Sequence, residues 1–309
     1  MKLPRLAFLT PSLPARTPYE PTSIVKEIHI KAPKKEAKQL FGPQNTIAET
    51  DLAKLLKAKE KMPTILPLPC HSHQGSRPVL NLSRLFGPEG PKIEDVVQGN
   101  SGDCYHLAVL ASLAHTGGLP SMVEERDQSG TQYRIHYFNY ETGEKEFEDV
   151  FDASYVDQDN NPLYAGDKAG AGAEPVSWVK ILENWFAKVN EKHGVIESPS
   201  MAGFNGISQG GWPDIPFKMI TGREMSFFLT GPMTPSNLSK FKENLQKGGH
   251  KTVVLATKPH ARHSKLVGSH AYAVLGMKGD NALLYNPWGH RLEVPVSLLF
   301  QNTGSYYVG

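Results

Sequence analysis

A cysteine at the start of a helix is a candidate nucleophile, and Cys104 has that setting in this 309-residue chain. It closes the run Gln98-Gly99-Asn100-Ser101-Gly102-Asp103-Cys104, and an apolar stretch with Leu107, Ala108, Leu110, Ala111, Leu113 and Ala114 follows. The spacing predicts a buried helix over 104–115, stopped by Gly117-Gly118. A thiol there feels the positive end of the helix macrodipole and several free backbone N–H groups, and both favour the nucleophilic thiolate. The same N–H groups can bind a developing oxyanion, and Gln98 can add a side-chain N–H from the other side. A buried free cysteine packing as a small apolar residue has the same local look, so the assignment rests on partners.

Twelve histidines are available as a base. Most lie in predicted loops, and His106, two positions after Cys104, points away from it on a helix. His270 differs because it opens the apolar strand His270-Ala271-Tyr272-Ala273-Val274-Leu275-Gly276. A second strand follows a short turn at Gly279-Asp280 and ends at Asn286, where Pro287 cannot continue it. Antiparallel pairing then puts His270 and Asn286 at the same end of the hairpin. There the Asn286 side chain can accept from one imidazole nitrogen and fix its tautomer, and Trp288 is placed to cover that bond. Each piece alone reads as a turn or a strand end; together they form the nucleophile, base and orienter of a Cys-His-Asn site.

The elements around these residues segregate. A hairpin is expected from strands over 133–140 and 145–151, turning at 141–144. Over 177–192, Trp178, Ile181, Leu182, Trp185, Phe186 and Val189 recur with helical spacing. A helix over 235–247 has Thr234 as N-cap, Pro235 at its first position and Gly248-Gly249 as its stop. Strands are expected over 252–257, 270–277, 282–285, 291–298 and 305–308. Helices first and strands later argue for an α+β fold.

Composition excludes several classes. Two cysteines, Cys70 and Cys104, rule out a disulfide scaffold and a four-cysteine zinc module. Cys70 with His71 and His73 lacks a fourth ligand at finger spacing, so a loop is the preferred reading. The net charge of +2 gives no case for nucleic-acid binding, and no apolar run reaches the ~20 residues of a membrane span. Residues 1–62 carry 12 Lys/Arg against 6 Asp/Glu and many prolines. Residues 1–75 therefore read as a flexible basic arm with one short helix over 47–61, ahead of a catalytic domain over 76–309. The first residues carry Lys2, Arg5 and a short apolar run broken by Pro11 and Pro14. That break favours a chain without a cleaved signal, and a non-cleaved export signal on a bacterial effector has the same look. A protein with so few cysteines, one of which must stay reduced, fits the cytoplasm or another reducing compartment.

These blocks resemble the protease core of the calpain family, on a papain-like fold. The family's Gln-Gly-x-x-Gly-Asp-Cys-Trp is matched by Gln98 to Tyr105, its Gly-His-Ala-Tyr-Ser-Val by Ser269 to Val274, and its Arg-Asn-Pro-Trp-Gly by Tyr285 to Gly289. The helix beginning at Trp178 resembles the family's Trp-Ser-x-Leu-Leu-Glu helix. The resemblance covers roughly residues 90–290, in family order. It implies a two-lobed fold, with a helical lobe carrying Cys104 and an antiparallel β lobe carrying His270 and Asn286. It also implies Cys104 as nucleophile, His270 as base and acid, Asn286 as orienter, and Gln98 with the Cys104 N–H as oxyanion hole. Trp288 would shield the His–Asn pair, and Gly99 and Ser269 would meet substrate. The implied activity is a monomeric cysteine endopeptidase acting on proteins or peptides, without a cofactor. A deamidase, transglutaminase or acyltransferase using the same triad, and an inactive binding module, are the alternatives.

The sequence departs from the family at several points. Tyr105 replaces the Trp after the nucleophile, and Ser269 replaces the Gly before the histidine. The family's Ser-Gly-Gly loop is not recognisable near 198–203. Asp95 matches one acidic calcium ligand of animal calpains, but Val176 stands where a Glu is expected, and Glu174 is displaced. No second calcium loop follows Gly289, and the loop over 157–161 lacks the Gly and closing Glu of a calcium loop. Independence from calcium, no metal site, and absence of the calpain accessory domains are therefore expected.

Overall fold

A computed structural model of the protein describes residues 76–80, 83–119, 121–125, 131–165, 176–196, 203–261 and 265–309. The basic arm, its expected helix over 47–61 and the cluster of Cys70, His71 and His73 lie outside these residues. So does most of the 198–203 stretch. The chain divides into two contact units, and one of them, Pro11–Met62, lies wholly outside the described residues.

The first lobe is built on two helices. Helix α1 (Cys104–Thr116) is buried along nearly its whole length and stops at Gly117, which takes the left-handed φ of 65° that glycine tolerates. Helix α2 (Trp178–His193) turns Trp178, Ile181, Leu182, Trp185, Phe186 and Val189 inward, all with no exposed surface. Short helices α3 (Gly203–Ile207) and α4 (Asp214–Thr221) close this core. Strands are more numerous here than the sequence suggested. Strand β1 (Arg77–Leu80) pairs with β5 (Ala153–Val156). Strands β2 (Val123–Glu125), β3 (Gln132–Phe138) and β4 (Lys145–Phe151) form an antiparallel meander.

The second lobe is a six-stranded antiparallel sheet of order β10-β9-β8-β7-β11-β6. Its strands are β6 (Ser226–Leu229), β7 (Val253–Thr257), β8 (Ala271–Lys278), β9 (Asn281–Asn286), β10 (His290–Pro295) and β11 (Thr303–Val308). Alternation gives the sheet two apolar faces. Val254, Ala271, Ala273, Leu275 and Tyr285 join the core containing α1. Val253, Leu255, Tyr272, Val274, Ala282 and Leu284 join a second core under α5 (Pro235–Gln246) and α6 (Val296–Asn302). At the start of α5 the Thr234 hydroxyl accepts the Asn237 N–H at 3.2 Å, the cap expected there.

The expected strand over 291–298 needs correction: it ends at Pro295, and helix α6 takes over. Pro295 cannot donate to a ladder. Val296, Leu299 and Phe300 recur at i, i+3 and i+4, which buries them on a helix and not on a strand. Among the described residues, no helix is long and apolar enough to cross a membrane.

Candidate active site

Cys104 is the first residue of α1 and keeps part of its surface exposed. Two glycines bring its loop against neighbouring backbone. A Cβ on Gly102 would lie 2.1 Å from the Ser208 carbonyl oxygen, and one on Gly99 would lie 2.6 Å from that of Leu163. The Asn100 N–H donates to the Leu163 carbonyl at 2.6 Å. Gly99 is thus required for close packing against Leu163 and Tyr164. Asp103 is fully buried and its carboxyl is raised by that burial, with neighbouring Glu183 and Ser101 offsetting part of the rise.

His270 sits just ahead of β8, with its backbone pinned to Thr257. Its N–H donates to the Thr257 hydroxyl at 3.0 Å, and its carbonyl accepts the Thr257 N–H at 2.9 Å. The pairing of β8 with β9 brings the two hairpin ends together, as the Gly279-Asp280 turn requires. His270 Nε2 and Asn286 Oδ1 lie 2.8 Å apart in the interior. The Trp288 ring covers the imidazole at 4.9 Å between centroids, and Tyr272 meets it edge-on from another side. The Trp288 N–H also donates to Asn286 Oδ1 at 3.0 Å. Asn286 Nδ2 reaches His290 Nε2 at 3.4 Å. His290 follows Gly289 and pairs directly with Asn286 across the β9–β10 turn.

Cys104, His270, Ser269, Ala271, Gly102 and Tyr105 share one cleft, which Gly210, Gly211 and Pro213 also line. That wall was missed in the sequence. Its signal is Ser208-Gln209-Gly210-Gly211, ten residues beyond the stretch where a glycine loop was sought. Tyr105 anchors the wall: its hydroxyl donates to the Ile207 carbonyl at 3.2 Å, and Gly211 lies against its ring. Ser269 has φ 50°, so the left-handed backbone is retained although the residue is not glycine.

Burial shifts both groups. It pushes the Cys104 thiol up to about 12, against the backbone N–H groups of Ala271, Tyr105 and Cys104 itself, which pull it down. It holds His270 below its ordinary value, with Asn286 opposing and His290 reinforcing the shift. Both shifts favour the uncharged forms, while the N–H groups at the helix start pull the thiol toward thiolate. Among the described residues, no hydrogen bond joins Cys104 Sγ to the His270 ring. Gln98 donates its side-chain N–H to the Ser101 carbonyl at 2.6 Å, and its backbone N–H to Pro287 at 2.7 Å.

At the position of the expected acidic ligand, one carboxylate oxygen of Asp95, Oδ2, accepts both the Trp178 indole N–H at 2.7 Å and the Lys92 N–H at 2.8 Å. Val176, in place of the second acid, is buried and apolar. No three His, Cys, Asp or Glu side chains among the described residues are grouped to hold a metal ion.

A helix carrying a cysteine at its start, facing a β lobe with a buried His–Asn pair, defines a papain-like α+β protease fold. A family model described as calpain family cysteine protease matches residues 73–294, and the chain belongs to that family. It is 27% identical over 209 residues to the calpain-2 catalytic subunit of Gallus gallus, and 26% identical over 210 residues to that of Homo sapiens. It is also 26% identical over 212 residues to calpain-8 of Rattus norvegicus. Each match covers 63% of this chain but only 28% of the relative, so the chain spans far less than the relatives' full length.

Proposed function

We infer that the described domain is a cysteine endopeptidase that cleaves protein or peptide substrates through a thioester. The observation that carries this is the buried 2.8 Å contact of His270 with Asn286, under Trp288, on the same cleft as Cys104. As a peptide carbonyl enters, the Cys104 thiol passes its proton to the neutral His270 imidazole while Sγ bonds to the carbonyl carbon. The oxyanion is met by the Cys104 N–H and by Gln98, whose amide has a second hydrogen beyond the one given to Ser101. Asn286 Oδ1 stabilises the imidazolium. His270 then gives its proton to the leaving amine as the C–N bond breaks. A water, deprotonated by His270, hydrolyses the thioester and restores the thiol.

Calcium is not needed in this reading: buried, apolar Val176 stands where the second acidic ligand would be, and Asp95 Oδ2 is taken by Trp178 and Lys92. The test is incubation of the full chain with a peptide library, beside Cys104→Ala, with chelator and with added calcium, read by mass spectrometry. Chain cleavage that is lost in Cys104→Ala and indifferent to chelator is expected. A 1 Da change or an added group, without cleavage, would replace the peptidase reading with another acyl transfer. Cleavage only with calcium would overturn the metal-free reading.

A further inference from the structure

Asn286 has a second partner beyond His270. Its Oδ1 accepts from the Trp288 backbone N–H at 3.0 Å as well as lying 2.8 Å from His270 Nε2. A backbone N–H can only donate, so the amide cannot flip without losing that bond: Oδ1 must face Trp288 and His270, and Nδ2 must point away. Nδ2 then meets His290 Nε2 at 3.4 Å. Since Nδ2 has only hydrogens to give, His290 Nε2 must be the bare, accepting nitrogen, with its proton on Nδ1.

Protonating His290 would set N–H against N–H at this contact. It would also place a positive charge near His270, which must itself become positive during the reaction. His290 is exposed and His270 buried, so solvent protons reach His290 directly. On its own strand, Arg291 and Glu293 alternate to the other face, with Arg291 paired to Glu94. The facing strand β9 (Asn281–Asn286) and helix α6 (Val296–Asn302) carry no charged residue. Asp95 is engaged by Trp178 and Lys92. His270 is the titratable group whose electrostatic coupling to His290 is felt.

We propose that His290 is a positioning residue of this site: as the neutral imidazole it holds the Asn286 amide toward His270, and its protonation releases that amide and closes the acid side of the activity. The inference rests on the peptidase reading and adds a fourth residue to its Cys104, His270 and Asn286.

The experiment uses the full chain as wild type, His290→Ala and His290→Gln. Peptide hydrolysis and the rate of Cys104 alkylation by iodoacetamide, read at that residue by mass spectrometry, are followed against pH. The titration of His290 is followed by NMR. In the wild type the acid limb of both rates should coincide with the His290 titration. His290→Ala should lower kcat about tenfold with KM unchanged, the scale of one lost orienting hydrogen bond. His290→Gln, whose carbonyl accepts the same Asn286 N–H but takes no proton, should recover kcat and move the acid limb to lower pH. Identical acid limbs in the wild type and His290→Gln, in both readouts, would overturn the proposal. If the wild type cleaves no peptide, the peptidase reading falls, and the alkylation profiles alone decide the role of His290.

Discussion

The Asp95 carboxylate accepts the indole N–H of Trp178 at 2.7 Å inside the protein, tying the turn before Gln98 to the first residue of α2. Trp178 has no exposed surface and Asp95 very little, so this bond has no water to replace it. Removing the acceptor leaves the buried indole N–H without a partner, at about 1–3 kcal/mol, and takes a partner from the N–H of exposed Lys92. Asp95→Ala should therefore lower the unfolding midpoint, and added calcium should not restore it. A calcium-dependent rise in the wild-type midpoint would show instead that Asp95 is a metal ligand.

Ser269 holds φ 50° directly before His270. An L residue with a Cβ pays about 1 kcal/mol for that conformation, and glycine does not. Ser269→Gly should gain roughly that much in denaturant unfolding. It also removes a side chain from the cleft lining, so KM for a peptide should fall. Lower stability in the glycine variant would mean that the serine side chain contributes more than the strain removes.

His106 is the buried histidine of α1, stacked on Phe186 at 4.4 Å with no exposed surface. Neither ring nitrogen has a partner in hydrogen-bonding geometry. Burial drives its pKa down to about 3, and the Leu182 carbonyl offsets little of that. The sign follows directly: the unfolded chain takes up this proton near its ordinary value of about 6.5, while the folded chain does not until about 3. Stability is unaffected above that upper value and falls as pH drops through the window. The loss at pH 5 is on the order of 2 kcal/mol. Denaturant titrations at pH 7 and pH 5 should show it, and His106→Phe should change the pH 7 to pH 5 difference by about 2 kcal/mol, leaving the parts due to His270 and Asp103. A pH effect of unchanged size in His106→Phe would assign the acid lability to other groups.

The parts of the site that are local in the chain were legible beforehand. Cys104 sits at a helix start marked by glycines and an apolar run, and His270 and Asn286 are brought together by one tight hairpin. What was not legible depends on long-range contacts. The wall at Gly210 and Gly211 is defined by where Tyr105 lies, about a hundred residues away. The occupancy of Asp95 by Trp178 is equally non-local. Helix α6 was hidden for another reason: its apolar residues are few enough to suit either period, and Pro295 had to be read as a boundary. The shifts of the Cys104 thiol and the His270 imidazole depend on burial, which no spacing encodes.

Gly211 and Tyr105 offer a test of how the departure from Trp after the nucleophile is accommodated. A Cβ on Gly211 would lie 2.6 Å from the Tyr105 ring, which is almost fully buried and tethered through its hydroxyl to Ile207. The ring has nowhere to swing, so the methyl of Gly211→Ala must push the 210–213 wall outward. Overpacking of this kind costs about 1–3 kcal/mol. Because the wall lines the cleft, KM should rise as stability falls. Repeating the substitution in a Tyr105→Leu background removes the ring that the methyl meets. The alanine should then cost less, by a coupling of about 0.5–3 kcal/mol in a double-mutant cycle of unfolding free energies. Equal costs in both backgrounds would mean that the Tyr105 ring is not what holds this wall in place.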